Sequence, residues 1–258
     1  MHRFGIFVLV CMVPVMLTGA CSVKDDRSDC PSVLELDLNE VDPSLCGSLD
    51  ILILSEDGFR YADTLDLTSA VMAYDVPKTN LHVRAWYGDE EMMTDYGLSI
   101  PHGESCPRVY MYDKEVEISA ERHRETVMMR KNHCVLTLTL EGTGLAEADI
   151  HIEGKVAGYD AKGKPLEGDF KVSLAQSTLK EEYVVVIPRQ LDQSLNLLID
   201  DGDGILKSFA LGQYIASSGY DWTSPDLDDI AVTVDYALTE LSVMINGWES
   251  VFKYEIEI

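Results

Sequence analysis

The chain has 258 residues, 46% hydrophobic and 25% charged, a composition able to bury a core and unlike disordered or collagen-like chains. Its 45 acidic residues against 20 basic ones give a net charge of −25, which repels phosphate backbones and argues against nucleic-acid partners and charge-driven docking on anionic lipid. The length admits one large or two ordinary domains, and two is the expectation.

Residues 1–20 open with His2 and Arg3, continue through an apolar stretch over 4–17 and end in Thr18-Gly19-Ala20. The apolar run is short for a spanning helix, and small residues precede the expected cut, as in a secretory signal. Leu17-Thr18-Gly19-Ala20-Cys21 resembles a bacterial lipobox, in which Cys21 becomes the diacylated first residue of the mature protein. The usual leucine position holds Thr18, and a plain signal followed by an incidental cysteine is the alternative. Acylation at Cys21 would give stable anchoring. Ser22-Val23-Lys24-Asp25-Asp26 resembles a surface-export signal of Bacteroides-type lipoproteins, with an ordinary polar tether as the other reading. Loss of Arg3 with the signal moves the net charge from −25 to −26, so the acidity belongs to the exported part.

The body reads as strands. Residues 33–38 alternate apolar and acidic side chains, and 49–54 form a short apolar run closed by the turn Glu56-Asp57-Gly58. Strands are expected over 71–76, 81–87, 116–119 and 126–129, with Arg122-His123-Arg124 a solvated basic turn. The series restarts after Lys131, with strands over 135–140, 150–156, 183–187, 195–199 and 205–210, a short helix over 211–216 ending near Gly219, and strands over 230–236, 241–245 and 251–258. Many short strands with turns between them predict an all-β chain of two tandem β-sandwiches. The expected layout is a signal at 1–20, a lipidated tether at 21–30, an N-terminal sandwich at 31–130 and a C-terminal sandwich at 131–258. The acids alternating with core residues in 33–38 are expected to discourage unwanted edge pairing.

Cys30, Cys46, Cys106 and Cys134 remain in an oxidising compartment once Cys11 leaves with the signal and Cys21 carries lipid. Four cysteines allow two bridges in three connectivities, among which sequence does not choose, and free buried thiols are the alternative. No CxxC pair or histidine set has zinc-ligand spacing. Asp200-Asp201-Gly202-Asp203-Gly204 lacks the later ligands of a calcium loop and reads as a turn. No nucleophile elbow, HExxH, P-loop or dinucleotide fingerprint is present, so no catalytic residue, metal or cofactor is expected and the chain reads as a non-enzyme. Trp86 and Trp248 lie in or beside strand patterns and read as core, which leaves Trp222 as the aromatic to stack on a sugar.

The lipobox, Asp29-Cys30-Pro31, the run 81–88, Phe209-Ala210-Leu211-Gly212-Gln213-Tyr214-Ile215, Tyr220-Asp221-Trp222, the run 229–236 and Asn246-Gly247-Trp248-Glu249 stand in an order and spacing that resemble the fimbrial anchor lipoproteins of Bacteroides-type bacteria, the FimB and minor-fimbria anchor group. The resemblance covers nearly all of the mature chain and is strongest after Lys131. It implies two transthyretin-like sandwiches held in the outer membrane by acylated Cys21. It also implies fimbrial subunits as partners, joined by strand complementation, with attachment and length control of the fimbria as the role. Residues 251–258 alternate as a donor strand should, and equally as the closing strand of their own sandwich. Structural fimbrillins of this group are cut after an arginine; Arg27 or Arg60 could be cut, but anchors are not generally so processed, and no cleavage site is assigned. A surface glycan-binding lipoprotein and a tip or accessory fimbrillin are the other readings.

Overall fold

A computed structural model describes residues 30–45, 47–88, 93–94, 97–141, 148–160, 162–174, 182–200, 206–235 and 240–253. The signal, Cys21, Arg27, Cys46, the turn at 201–205 and the end of the last expected strand lie outside the described residues. No described helix is long and apolar enough to cross a membrane.

The first half contributes β1 (Ser32–Asp37), β2 (Ser48–Ser55), β3 (Arg60–Asp66), β4 (Val71–Val76), β5 (Asn80–Tyr87), β6 (Met93–Thr94), β7 (Gly97–Ser99), β8 (Tyr110–Glu117), β9 (Arg122–Thr126) and β10 (Arg130–Lys131). Strands β4-β1-β9 form a three-stranded sheet that faces the five-stranded sheet β10-β8-β5-β2-β3. The alternation of β1 buries Leu34 and Leu36 completely against Ile51, Ile53, Val83 and Ala85 of the facing sheet. Its acids point the other way. Glu35 meets Arg122, and Asp37 accepts a 2.7 Å bond from Arg124, because β9 runs parallel to β1 in matching register. The basic triplet is therefore a strand and not a turn. Nor does β1 expose an edge: it lies between β4 and β9, so its acids fix register against arginine partners instead of guarding a free edge.

The second half contributes β11 (His133–Glu141), β12 (Asp149–Asp160), β13 (Pro165–Leu174), β14 (Glu182–Pro188), β15 (Asn196–Asp200), β16 (Leu206–Phe209), α1 (Leu211–Ser217), β17 (Ile230–Asp235), β18 (Glu240–Ile245) and β19 (Trp248–Lys253). Sheet β14-β11-β17-β18-β19 packs on sheet β16-β15-β12-β7-β6, with β13 paired to β12. The helix falls where its short apolar pattern places it, and Gly219 follows at φ +88.

A cut at residue 130 does not separate the two halves. Although β6 and β7 precede that point, β7 pairs with β12, and Leu98, Ile100 and Cys106 pack in the second core. In return, Leu52, Trp86 and Met111 on the outer face of the first half's larger sheet join that same core, where the turn at Gly163 rests on Met111. Arg84 is fully buried at this contact, its guanidinium carbon 4.2 Å from the centroid of the Trp86 ring. The joint itself is pinned. Asp226 accepts from the Lys131 backbone N–H at 2.8 Å, while Asp229 accepts from Lys131 Nζ at 2.5 Å and the Val135 N–H at 2.8 Å.

The expected disulfides do not form among the described cysteines: Cys30, Cys106 and Cys134 are all unbonded. Cys106 and Cys134 fill core space as small hydrophobes, and burial pushes the Cys134 thiol up to about 12.

One buried carboxylate sits inside the first sandwich. Glu125 on β9 accepts bonds from Tyr112 Oη at 2.9 Å and Lys114 Nζ at 2.6 Å. Desolvation pushes its pKa up, but the bonds from Lys114 and Tyr112 outweigh it and hold the group below the ordinary carboxylate value. A carboxyl depressed in the folded state stabilises the fold above its unfolded pKa, and that contribution disappears as the pH falls through the folded pKa. Glu125→Gln is therefore expected to melt below wild type at pH 7, with the gap closing as the pH is lowered below the model-peptide value of 4.5. Thermal melts across that range check this, and a gap independent of pH contradicts it.

Candidate interaction surfaces

The last hairpin presents an open strand edge. Asn246 at φ 49 and Gly247 at φ 80 form a two-residue turn with both φ values positive, the type that matches strand twist and favours Asn-Gly. The register pairs Ile245 with Trp248, Val243 with Ser250 and Leu241 with Phe252. A turn of this length makes the first of these a hydrogen-bonded pair, so by alternation residues 248, 250 and 252 bond inward to β18 while the N–H and C=O of Glu249 and Val251 point outward. Strand β19 ends its sheet, and among the described residues nothing pairs with that edge. Phe252 holds the strand to the body, its ring 5.3 Å from that of Tyr214 on α1.

Two large apolar side chains on this strand are open. Trp248 is 83% exposed and Val251 58%. Val251 stands opposite Ser242 on the outer face, beside a neutral band formed by Met244, Ala231, Thr137 and exposed Val184 across successive strands. Glu249 stands on the edge in the same row as this band, and two rows away Lys253, 3.7 Å from Glu240, heads the row of Glu240, Asp235 and Glu141.

The opposite edge of the sheet is covered at Val186, while Val184 two residues before it is exposed. At β14, Val186 donates its N–H to Ser105 Oγ at 3.0 Å, and its carbonyl accepts from Ser105 Oγ at 3.1 Å and from the Cys106 N–H at 3.0 Å. The strap that supplies these bonds also donates the Gly103 N–H to the Lys171 carbonyl of β13, and Pro188 ends β14 without a donor. A polar groove of about 420 Å³ lies beneath this strap, lined by His102, Asn196 and the ion pairs Lys155–Asp169 (2.7 Å) and Lys171–Glu153 (2.8 Å).

Trp222 and Trp248 exchange the places expected of them. Trp222 is only 9% exposed, packed edge-on against Tyr220 with ring centroids 4.6 Å apart, so it offers no stacking platform. Trp248 belongs outside because it follows the turn directly at the corner of an edge strand; the Asn-Gly pair before it was the signal available. Trp86 is buried as expected. Of the run 251–258, the described part continues β19, which begins three residues earlier and is bound into its own sheet. Arg60 opens β3 and is exposed. Among the described residues no cluster of His, Cys, Asp and Glu is arranged to hold a metal ion.

No protein-family model matches the chain, and no curated protein matches it in sequence. Solved structures do match its fold. A candidate polysaccharide-binding protein from Bacteroides thetaiotaomicron superimposes with a TM-score of 0.63 at 11% identity, over 87% of this chain and 99% of that one. The fimbrial anchor protein Mfa2 from Porphyromonas gingivalis gives 0.61 at 12% identity, over 85% of this chain and 99% of that one. A candidate adhesin from Bacteroides ovatus gives 0.59 at 11% identity, over 87% and 96%. At such identities the likeness is one of fold.

Proposed function

We propose that the protein is an outer-membrane lipoprotein of a fimbrial system, held by an acylated Cys21, that seats the fimbria on the cell and limits its length through strand-mediated contacts with fimbrial subunits. The observation that carries this reading is the shared fold with a fimbrial anchor over 85% of this chain and nearly all of that one. The lipobox-like stretch supplies the anchor chemistry, and the open edge of β19 supplies a place for a subunit to pair. The role is one of assembly and not catalysis.

Cys21→Ala is expected to move the protein from the outer-membrane fraction into soluble fractions and to release fimbriae into the medium, as deletion of the whole chain should. Fractionation and immunoblotting of cells and medium check both. Unchanged attachment and fimbrial length on deletion overturns the anchor reading.

A glycan-binding surface lipoprotein is the second reading, favoured by the exposed Trp248 and by the polysaccharide-binding description of one structural neighbour. Affinity gels with Trp248→Ala test it, since loss of a stacking platform weakens a sugar. A tip or accessory subunit is separated from a basal one by immunogold position along the fibre.

A further inference from the structure

Strand β19 is complementary to itself. By the alternation that turns Glu249 and Val251 outward, Lys253 also presents its backbone groups to the open edge, which therefore reads Glu, Val, Lys at every second position. The three side chains share the outer face of the sheet, where Val251 is 58% exposed and Lys253 Nζ lies 3.7 Å from Glu240. A twofold axis through the edge at Val251, normal to the sheet, runs a second copy of this strand antiparallel to the first. Val251 then stands opposite Val251 of the second copy, and at each end of the seam Glu249 of one copy stands opposite Lys253 of the other. All of these are hydrogen-bonded positions, where opposed residues exchange both of their backbone bonds. No other register does this. Centred on Glu249, the pairing sets carboxylate against carboxylate; centred on Lys253, it sets ammonium against ammonium; the registers between them set one charge or the other against valine.

We infer that two copies of this chain pair antiparallel along β19, centred on Val251, and join their five-stranded sheets into one continuous sheet. Lys253 of each copy then stands between Glu240 of its own chain and Glu249 of the other. On the opposite face Ser250 meets Phe252 of the second copy, and Trp248 lies diagonally from that ring, within reach of an aromatic side chain. The 83% exposed indole thereby gains cover that a single chain does not give it. The charge of −25 on each chain opposes association, but it is screened beyond about 8 Å at physiological ionic strength, and the Glu249–Lys253 pairs lie inside that range. This goes beyond the fimbrial reading: the edge serves one occupant at a time, so chains that hold no subunit are covered by each other.

Charge reversal in the full-length lipoprotein tests the inference by sedimentation. The wild type is expected to show a concentration-dependent dimer. Glu249→Lys and Lys253→Glu each set like charges opposite one another at both ends of the seam, and each is expected to raise the dissociation constant about tenfold, with a melting temperature close to wild type. Mixing the two variants restores opposite charges at both ends and is expected to recover wild-type association as a heterodimer. A wild type that stays monomeric, or a dimer indifferent to both reversals and to mixing, overturns the inference. If Lys253→Glu, beside Glu240, lowers the melting temperature markedly, a photo-crosslinker at Val251 on intact cells decides instead. Adducts between two copies of this chain support the pairing; adducts confined to fimbrial subunits, or none, overturn it and leave the anchor reading in place.

Discussion

Replacement of Arg189 by alanine is expected to destabilise the protein by about 3 kcal/mol, measured by urea denaturation. Arg189 follows β14 and spends its whole guanidinium on one loop and the joint. Nε donates to Asn132 Oδ1 at 3.1 Å, one terminal nitrogen donates to the carbonyls of Trp222 and Ser224 (the latter at 2.6 Å), and the other donates to the Pro225 carbonyl at 3.2 Å. Its backbone N–H donates to Tyr159 Oη at 2.9 Å, and that hydroxyl donates in turn to the Asn132 carbonyl. Removing the side chain leaves several half-buried carbonyls without donors, each costing about 1 to 3 kcal/mol before water and relaxation recover part of it. Arg189→Lys should rescue little, since one ammonium cannot span acceptors arranged for a planar fork. A loss below about 1 kcal/mol in the alanine variant would mean that the loop holds its position without the arginine.

Gly158→Ala carries the other large expected effect, a loss of about 4 kcal/mol with exposure of the segment around β7 to proteases. Gly158 has φ +148, and a Cβ there would stand 1.9 Å from the Leu98 carbonyl oxygen. Gly97, with φ +125, meets the mirror problem, since its Cβ would stand 2.1 Å from the Tyr159 carbonyl oxygen. Both obstacles are backbone, so no rotamer change relieves them, and β7 must leave β12. Leu98, Ile100 and Cys106 then lose their place in the core, and Val186 loses the cover on its edge. Limited proteolysis and denaturant melts of the variant read both consequences, and wild-type protection of residues 97–106 would contradict them.

The fold class was legible because most strands carry their face in their pattern. In β1, β11 and β17 the burial alternates from Leu34, Leu136 and Ile230 onward, with a large apolar residue at every second position. β3 and β13 escaped notice for the opposite reason. The first is an edge strand with a single buried residue, and the second carries Gly168 and exposed charges through its first half, so neither needs a period-two apolar pattern to pair. For the candidate surface, the alternation at 251–258 identified strand chemistry near β19, but periodicity is blind to whether a strand's second edge is occupied.

By itself, the sequence determined the all-β class, the short helix, the acidic exterior and a signal-like start, since each depends on neighbours in the chain or on composition alone. Tertiary structure decided which tryptophan meets solvent, which strands end a sheet, and that residues 97–106 strap the second half instead of completing the first. Those outcomes depend on which distant segment lies alongside. A strand's own residues specify which side chains face inward; whether its outward amides find a partner is settled by another strand, far away in sequence, and among the described residues none lies along the outer edge of β19.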